Sequence, residues 1–218
     1  MRMTAITALA LVCVGFAAAQ QNDRTIVPGK RLGPIAAGTS RTDLERLFGK
    51  SNVEDKPVDT GEGPQPATVV FGKDSSTALA LLWRDNVIDR VLVCYESQFG
   101  PCKWHTGAGV SLGTTVARLE ALNGRPFVAE PWGSDVGGNI TSWQGGKLAG
   151  ELGDGGNFLL GLTLDWRGSA SGPTSGQREA LDEIYGQSRT LSSNSAVRAL
   201  RPVVTRMILF FPGKKASN

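Results

Sequence analysis

The chain has 218 residues, with 23 basic and 20 acidic side chains and a net charge of +3. Such an even balance sets up no broad field for nucleic acid or for an anionic membrane surface. The length that remains after a leader suffices for one large core or two small ones.

The leader comes first in the chain. "MRMTAITALALVCVGFAAAQ" places Arg2 ahead of an apolar run from Ala5 to Phe16 and ends in Ala17, Ala18 and Ala19. This is the layout of a secretory signal peptide, too short to span a bilayer, with cleavage expected after Ala19. Cys13 is preceded by Val12, which is too large for a lipidation signal. Removing Arg2 with the leader leaves 22 basic against 20 acidic residues, so the mature charge is +2. No later apolar stretch is long enough to be a transmembrane helix.

Next comes a segment that the chain writes twice. "IAAGTSRTDLERLFGK" (35–50) returns without a gap as "VSLGTTVARLEALNGR" (110–125). Gly38, Thr39, Leu44, Glu45, Leu47 and Gly49 match Gly113, Thr114, Leu119, Glu120, Leu122 and Gly124. Each copy predicts a helix of about two turns with apolar residues three apart. Thr39 or Ser40 can cap the first helix, and Thr114 or Thr115 the second. Gly49, or Asn123 with Gly124, supplies a left-handed exit. Helices this short do not stand alone in water, so each must dock on something.

β-rich runs follow each copy. After the first come "TVVF", "TALALLW" and "VIDRVLVCY", divided by Gly72-Lys73-Asp74 and Arg84-Asp85-Asn86. After the second come "PFVAEPW", "GNITSW", "KLAGEL" and "FLLGLTLDW", all read as strands. Turns this short join antiparallel strands, because parallel pairs need long crossovers. "QREALDEIYG" reads as a helix, and "LSSNSAVRAL" as a turn with a helical piece ending before Pro202. "PVVTRMILFF" is a final strand, expected on the sheet of the second unit. Cys94 and Cys102 are an even pair in an oxidising compartment and predict a disulfide, worth about 2.5 kcal/mol in the chain-entropy account. The fold class is therefore α+β. A signal peptide spans 1–19, and two tandem units span 20–103 and 104–218, each a short helical segment on an antiparallel sheet.

This pattern resembles the beta-lactamase-inhibitor-protein-like superfamily, which includes tandem inhibitor proteins and single-copy outer-membrane-assembly lipoproteins. The helix lead-ins at Gly38–Gly49 and Gly113–Gly124 carry the resemblance. The run "LEALNGRPF…WGSDVGGNITSWQGGKL" is also similar to a group of uncharacterised exported bacterial proteins. The resemblance implies two units with helices on one side and a sheet face available on the other, and it implies no catalytic residues.

The residues themselves support no catalytic set. His105 is the single histidine, whereas a metal site wants several converging ligands. "GSASG" puts alanine where a nucleophile elbow needs serine, and "GDGGN" and "QGGKL" lack the ending of a phosphate loop. No metal or cofactor is expected. The five tryptophans are Trp83, Trp104, Trp132, Trp143 and Trp166. They read either as core or as anchors on an open sheet face. Trp132 and Trp143, with Asp135 in the turn that they flank, are the candidate binding residues. The reading is an exported, non-enzymatic binding module for an envelope or extracellular protein. The alternatives are an envelope-polymer hydrolase using Asp135 or His105, and a self-associating structural protein.

Overall fold

A computed structural model of the chain describes residues 22–97, 99–132, 137–166, 173–185 and 187–212. The expected signal peptide at 1–19 and the candidate binding residue Asp135 lie outside the described residues. The fold is α+β.

The two copies of the repeated segment form α1 (Arg41–Phe48) and α2 (Val116–Asn123), equal in length and 75 residues apart at both ends. Of the possible caps, the one nearer the helix is used each time. Ser40 Oγ accepts from the Asp43 amide at 3.1 Å, and Thr115 Oγ1 from the Arg118 amide at 3.2 Å. The threonine before each cap braces the turn instead. Thr39 Oγ1 accepts from the Ala36 amide at 2.9 Å, and Thr114 Oγ1 from the matching Ser111 amide at 3.0 Å. Gly49 and Gly124 leave the helices at φ 85° and 78°, where a side chain would be strained. Leu44 and Leu119 are both fully buried.

Both helices share one core with a six-stranded sheet. Its strands are β4 (Val53–Asp59), β5 (Pro64–Val70), β6 (Leu79–Arg84), β7 (Val87–Val93), β11 (Leu160–Asp165) and β13 (Val203–Phe210). The order is β11-β13-β7-β6-β5-β4, antiparallel throughout. The final strand thus pairs with β11, as expected of the second unit, and with β7 of the first as well. One sheet crosses the 103/104 boundary.

The sheet carries an internal twofold relation that goes beyond the repeated helices. In the β6–β7 hairpin the register slips after Leu82↔Arg90, so that Trp83 faces Ile88 and Asp89 is left over. In β11–β13 it slips after Thr163↔Arg206, so that Leu164 faces Val204 and Thr205 is left over. A bulge of this kind adds one unpaired residue and sharpens the local twist. Superimposing the two bulges makes Leu92 the counterpart of Ile208, since 206 − 90 and 208 − 92 are both 116. Leu92 and Ile208 are also paired with each other across the centre of the sheet. The approximate twofold axis therefore passes through that pair.

Shorter strands complete the fold. β1 (Thr25–Val27), β2 (Arg31–Leu32), β3 (Ile35–Ala36) and β8 (His105–Thr106) form a sheet in the order β3-β2-β1-β8. The β1–β8 pair is parallel, against the expectation of antiparallel pairing only. It is possible because the whole first unit serves as the crossover. β9 (Val128–Ala129), β10 (Ile140–Ser142) and β12 (Thr190–Leu191) make a third sheet. "KLAGEL", read as a strand, is instead the helix α3 (Lys147–Leu152). Leu148 and Leu152 stand four apart on one buried face, a helical period that six residues are too few to distinguish from alternation. α4 (Ser175–Ile184) and α5 (Ser195–Leu200) pack on each other. Cys94 and Cys102 form the expected disulfide, with Cα atoms 6.0 Å apart.

The loop beside this disulfide holds a charged anchor. Asp74 accepts from Ser76 Oγ at 2.6 Å and from Lys103 Nζ at 3.1 Å. The Ser76 hydroxyl first, then Lys103, pulls its carboxyl down from 3.8 to about 2. A depressed carboxyl stabilises the fold fully above its ordinary value and loses that contribution as pH falls through the folded value. Asp74→Asn should therefore lower the melting temperature at neutral pH. The gap to wild type should close as pH falls from 3.8 towards 2. A gap that is constant down to pH ~2 would exclude the charge as its source.

Candidate functional site: an open groove on the outer sheet face

The central sheet has two faces, and they are covered differently. The inner face meets the helices in the main core with Leu44, Leu119, Trp104, Phe127 and Trp143. The outer face of the first unit holds a second cluster: Val58, Ala67, Val69, Ala80, Leu82 and Leu92. Its cover is the chain's own β4–β5 hairpin. β4 and β5 pair along their whole length to Asp59↔Pro64, but β5 pairs with β6 only at Thr68, Val69 and Val70. The rest of the hairpin leaves the sheet edge and crosses the outer face. Its tip reaches β13, where Arg206 Nη1 donates to Thr60 O at 3.4 Å. Val58 and Ala67 thereby lie over Ala80, Leu82 and Leu92. Burying such apolar surface contributes roughly 25 cal/mol per Å².

The second unit has matching floor positions, and among the described residues no hairpin of that unit lies over them. Aligned through the bulges, Ala80 and Leu82 correspond to Gly161 and Thr163 (both offset by 81), and Leu92 to Ile208. The first three are buried, at 0%, 6% and 4% exposure. Gly161, Thr163 and Ile208 are only partly buried, Ile208 packing at the margin of that covered cluster. Together with Phe158, Phe210 and Thr141 they line a groove of about 610 Å³. That volume falls within the ~300–1,000 Å³ range of ligand-binding clefts. Among the described residues, none of the side chains that line it is charged.

Local geometry explains why the groove opens here. β10, the counterpart of β5, meets β11 at a single bridge, Asn139↔Thr163. Beyond that bridge the two strands separate, and the groove lies between and above them. Thr163 Oγ1 donates to Asn139 Oδ1 at 2.5 Å, so polar groups in the wall bond to each other. Gly161 leaves room for the Phe210 ring, since a Cβ there would stand 3.1 Å from the ring edge.

The residues singled out from the sequence lie elsewhere. Trp143 is fully buried, with its ring 5.3 Å from that of Phe127, and Trp132 is 8% exposed in the same core. Trp104 is also fully buried, and its indole N–H donates to Thr77 O at 2.9 Å. Trp83 donates to Thr68 Oγ1, which in turn donates to Asp55 at 2.7 Å. That bond from Thr68 is the main reason the Asp55 carboxyl sits below its usual range. His105 is exposed on β8, with Nδ1 3.0 Å from Thr106 O. Among the described residues, no three His, Cys, Asp or Glu side chains converge to hold a metal. No helix among them is long and apolar enough to cross a membrane.

Sequence reasoning did not single out Ile208, Phe210 or Gly161. The signal was present in "RMILFF". Met207 and Leu209 serve the inner core, so the apolar Ile208 and Phe210 that alternate with them must face outward. A strand that is apolar on both faces announces a second surface to be covered.

No family model matches the chain, and no curated protein matches it. One solved structure is similar, the uncharacterized protein yfeY from Escherichia coli. It shows a TM-score of 0.40 and 14% identity, over 85% of this chain and 99% of that one.

Proposed function

We propose that this protein is an exported, non-enzymatic binding module that captures an envelope or extracellular protein on the outer sheet face of its second unit. One observation carries the reading. The floor positions that the first unit buries under its own hairpin are partly exposed in the second, around a groove whose described lining residues carry no charge. Exposed apolar surface of this kind marks interaction sites, because leaving it in water is unfavourable. The leader-like segment at 1–19 supports export, and the disulfide suits an oxidising compartment. The tandem layout supports kinship with the beta-lactamase-inhibitor-protein-like superfamily.

The test is differential capture from the exported fraction of the source cells. Phe210→Asp should lose the captured partner at least ~10-fold, because a carboxylate cannot stay charged against an apolar partner without cost. Its circular dichroism and melting temperature should stay close to wild type. An unchanged capture profile would remove the groove from the binding surface.

A further inference from the structure

We infer that the groove accepts an extended, uncharged apolar strand of the partner, laid across β11 and β13 as the protein's own β4–β5 hairpin is laid across β6 and β7. The inference rests on the binding role proposed above and specifies the chemistry of what is bound.

The approximate twofold relation shows what this face takes. On the first unit the cover is polypeptide in extended conformation, and its contact residues Val58 and Ala67, continued by Val69 where β5 joins the sheet, are small and apolar. On the second unit the aligned floor is Gly161, Thr163 and Ile208, and the described residues of the matching hairpin lie elsewhere. Trp132, the counterpart of Val58 at an offset of 74, sits in the main core. The offset follows from the register, since Asp55 pairs with Thr68 as Ala129 pairs with Ile140.

Chemistry narrows the occupant further. With no charged side chain among the described lining residues, a charged segment would lose its hydration without gaining a partner from them. With Thr163 bonded to Asn139, an apolar side chain beside them does not strip that hydroxyl proton of its acceptor. The half-buried rings of Phe158 and Phe210 offer flat apolar surface to side chains that project from alternate positions of a strand.

The probe is the protein's own covering strand, a peptide of sequence PQPATVV (residues 64–70) blocked at both ends. On titration into the full mature protein, amide shifts should move saturably at Gly161, Thr163, Ile208 and Phe210, and not at Ala80 or Leu82. The same peptide with aspartate in place of its alanine and first valine should bind at least ~10-fold more weakly to the unmodified protein, a comparison that requires no mutation. Phe210→Asp should weaken the parent peptide similarly. Equal binding of the acidic peptide, or shifts confined to another face, would overturn the inference. So would a fatty acid that fills the groove while the peptide does not. If the peptide fails but Phe210→Asp still abolishes capture of the exported partner, the strand chemistry falls and the binding role stands. If both fail, the binding role falls with it.

Discussion

Replacing Leu44 by alanine should lower the unfolding free energy by about 2–5 kcal/mol, and replacing Leu119 should cost a similar amount. Each leucine is the central apolar residue of its helix, and each is fully buried in the main core. The loss combines removed apolar burial with a cavity that the surrounding structure only partly fills. The neighbourhoods differ: α1 lies against β4 and β5, whereas α2 lies against α3. The position within the repeat is nevertheless the same, which is why the two costs should be alike. Urea unfolding of each variant measures them directly. A cost below ~1 kcal/mol at either site would mean that one copy of the helix does not anchor its unit.

Asn123→Ala should cost about 2–4 kcal/mol, through lost hydrogen bonds rather than a lost methyl. Asn123 is the last residue of α2 and is 1% exposed. Its Nδ2 donates to Arg125 O at 3.0 Å and to Trp143 O at 2.9 Å, and its Oδ1 accepts from the Leu148 amide at 3.2 Å. One side chain thus ties the exit of α2 to the end of β10 and to the start of α3. Alanine would remove a partner from three backbone groups at once. The approach is so close that a Cβ at Gly146 would fall 2.1 Å from Asn123 Oδ1. The matching residue of the first copy is Phe48, 6% exposed, whose ring lies 5.0 Å from that of Phe71. The duplicated position therefore holds its unit by packing in one copy and by hydrogen bonds in the other. Thermal and chemical unfolding of Asn123→Ala would show this, and a loss below ~1 kcal/mol would contradict it.

These two sites show how far local pattern reaches. The leucines of the repeat are legible because the helical period and the caps are local, set by residues within one or two turns. Asn123 was readable only as a helix-terminating residue next to Gly124. Its three partners, at 125, 143 and 148, depend on where a hairpin and a further helix come to rest. "KLAGEL" failed for a related reason. Six residues with two buried leucines fit either period, and the hydrogen bonds of Asn123 and the packing of α3 on α2 favour the helix.

By itself the sequence determined the α+β class, the two short capped helices, the tight turn at Asp85–Asn86 and the Cys94–Cys102 pair. Each depends on a few neighbouring residues, or on the compartment that a leader implies. It took the path of the whole chain to set Val203–Phe210 between the two units, to bury Trp132 and Trp143 in the core, and to leave Ile208 and Phe210 bordering an open groove. Alternation along a strand shows that it has two faces. It cannot show which face another part of the chain will cover, because that cover is a hairpin whose path is set by contacts more than a hundred residues away, as between Thr60 and Arg206.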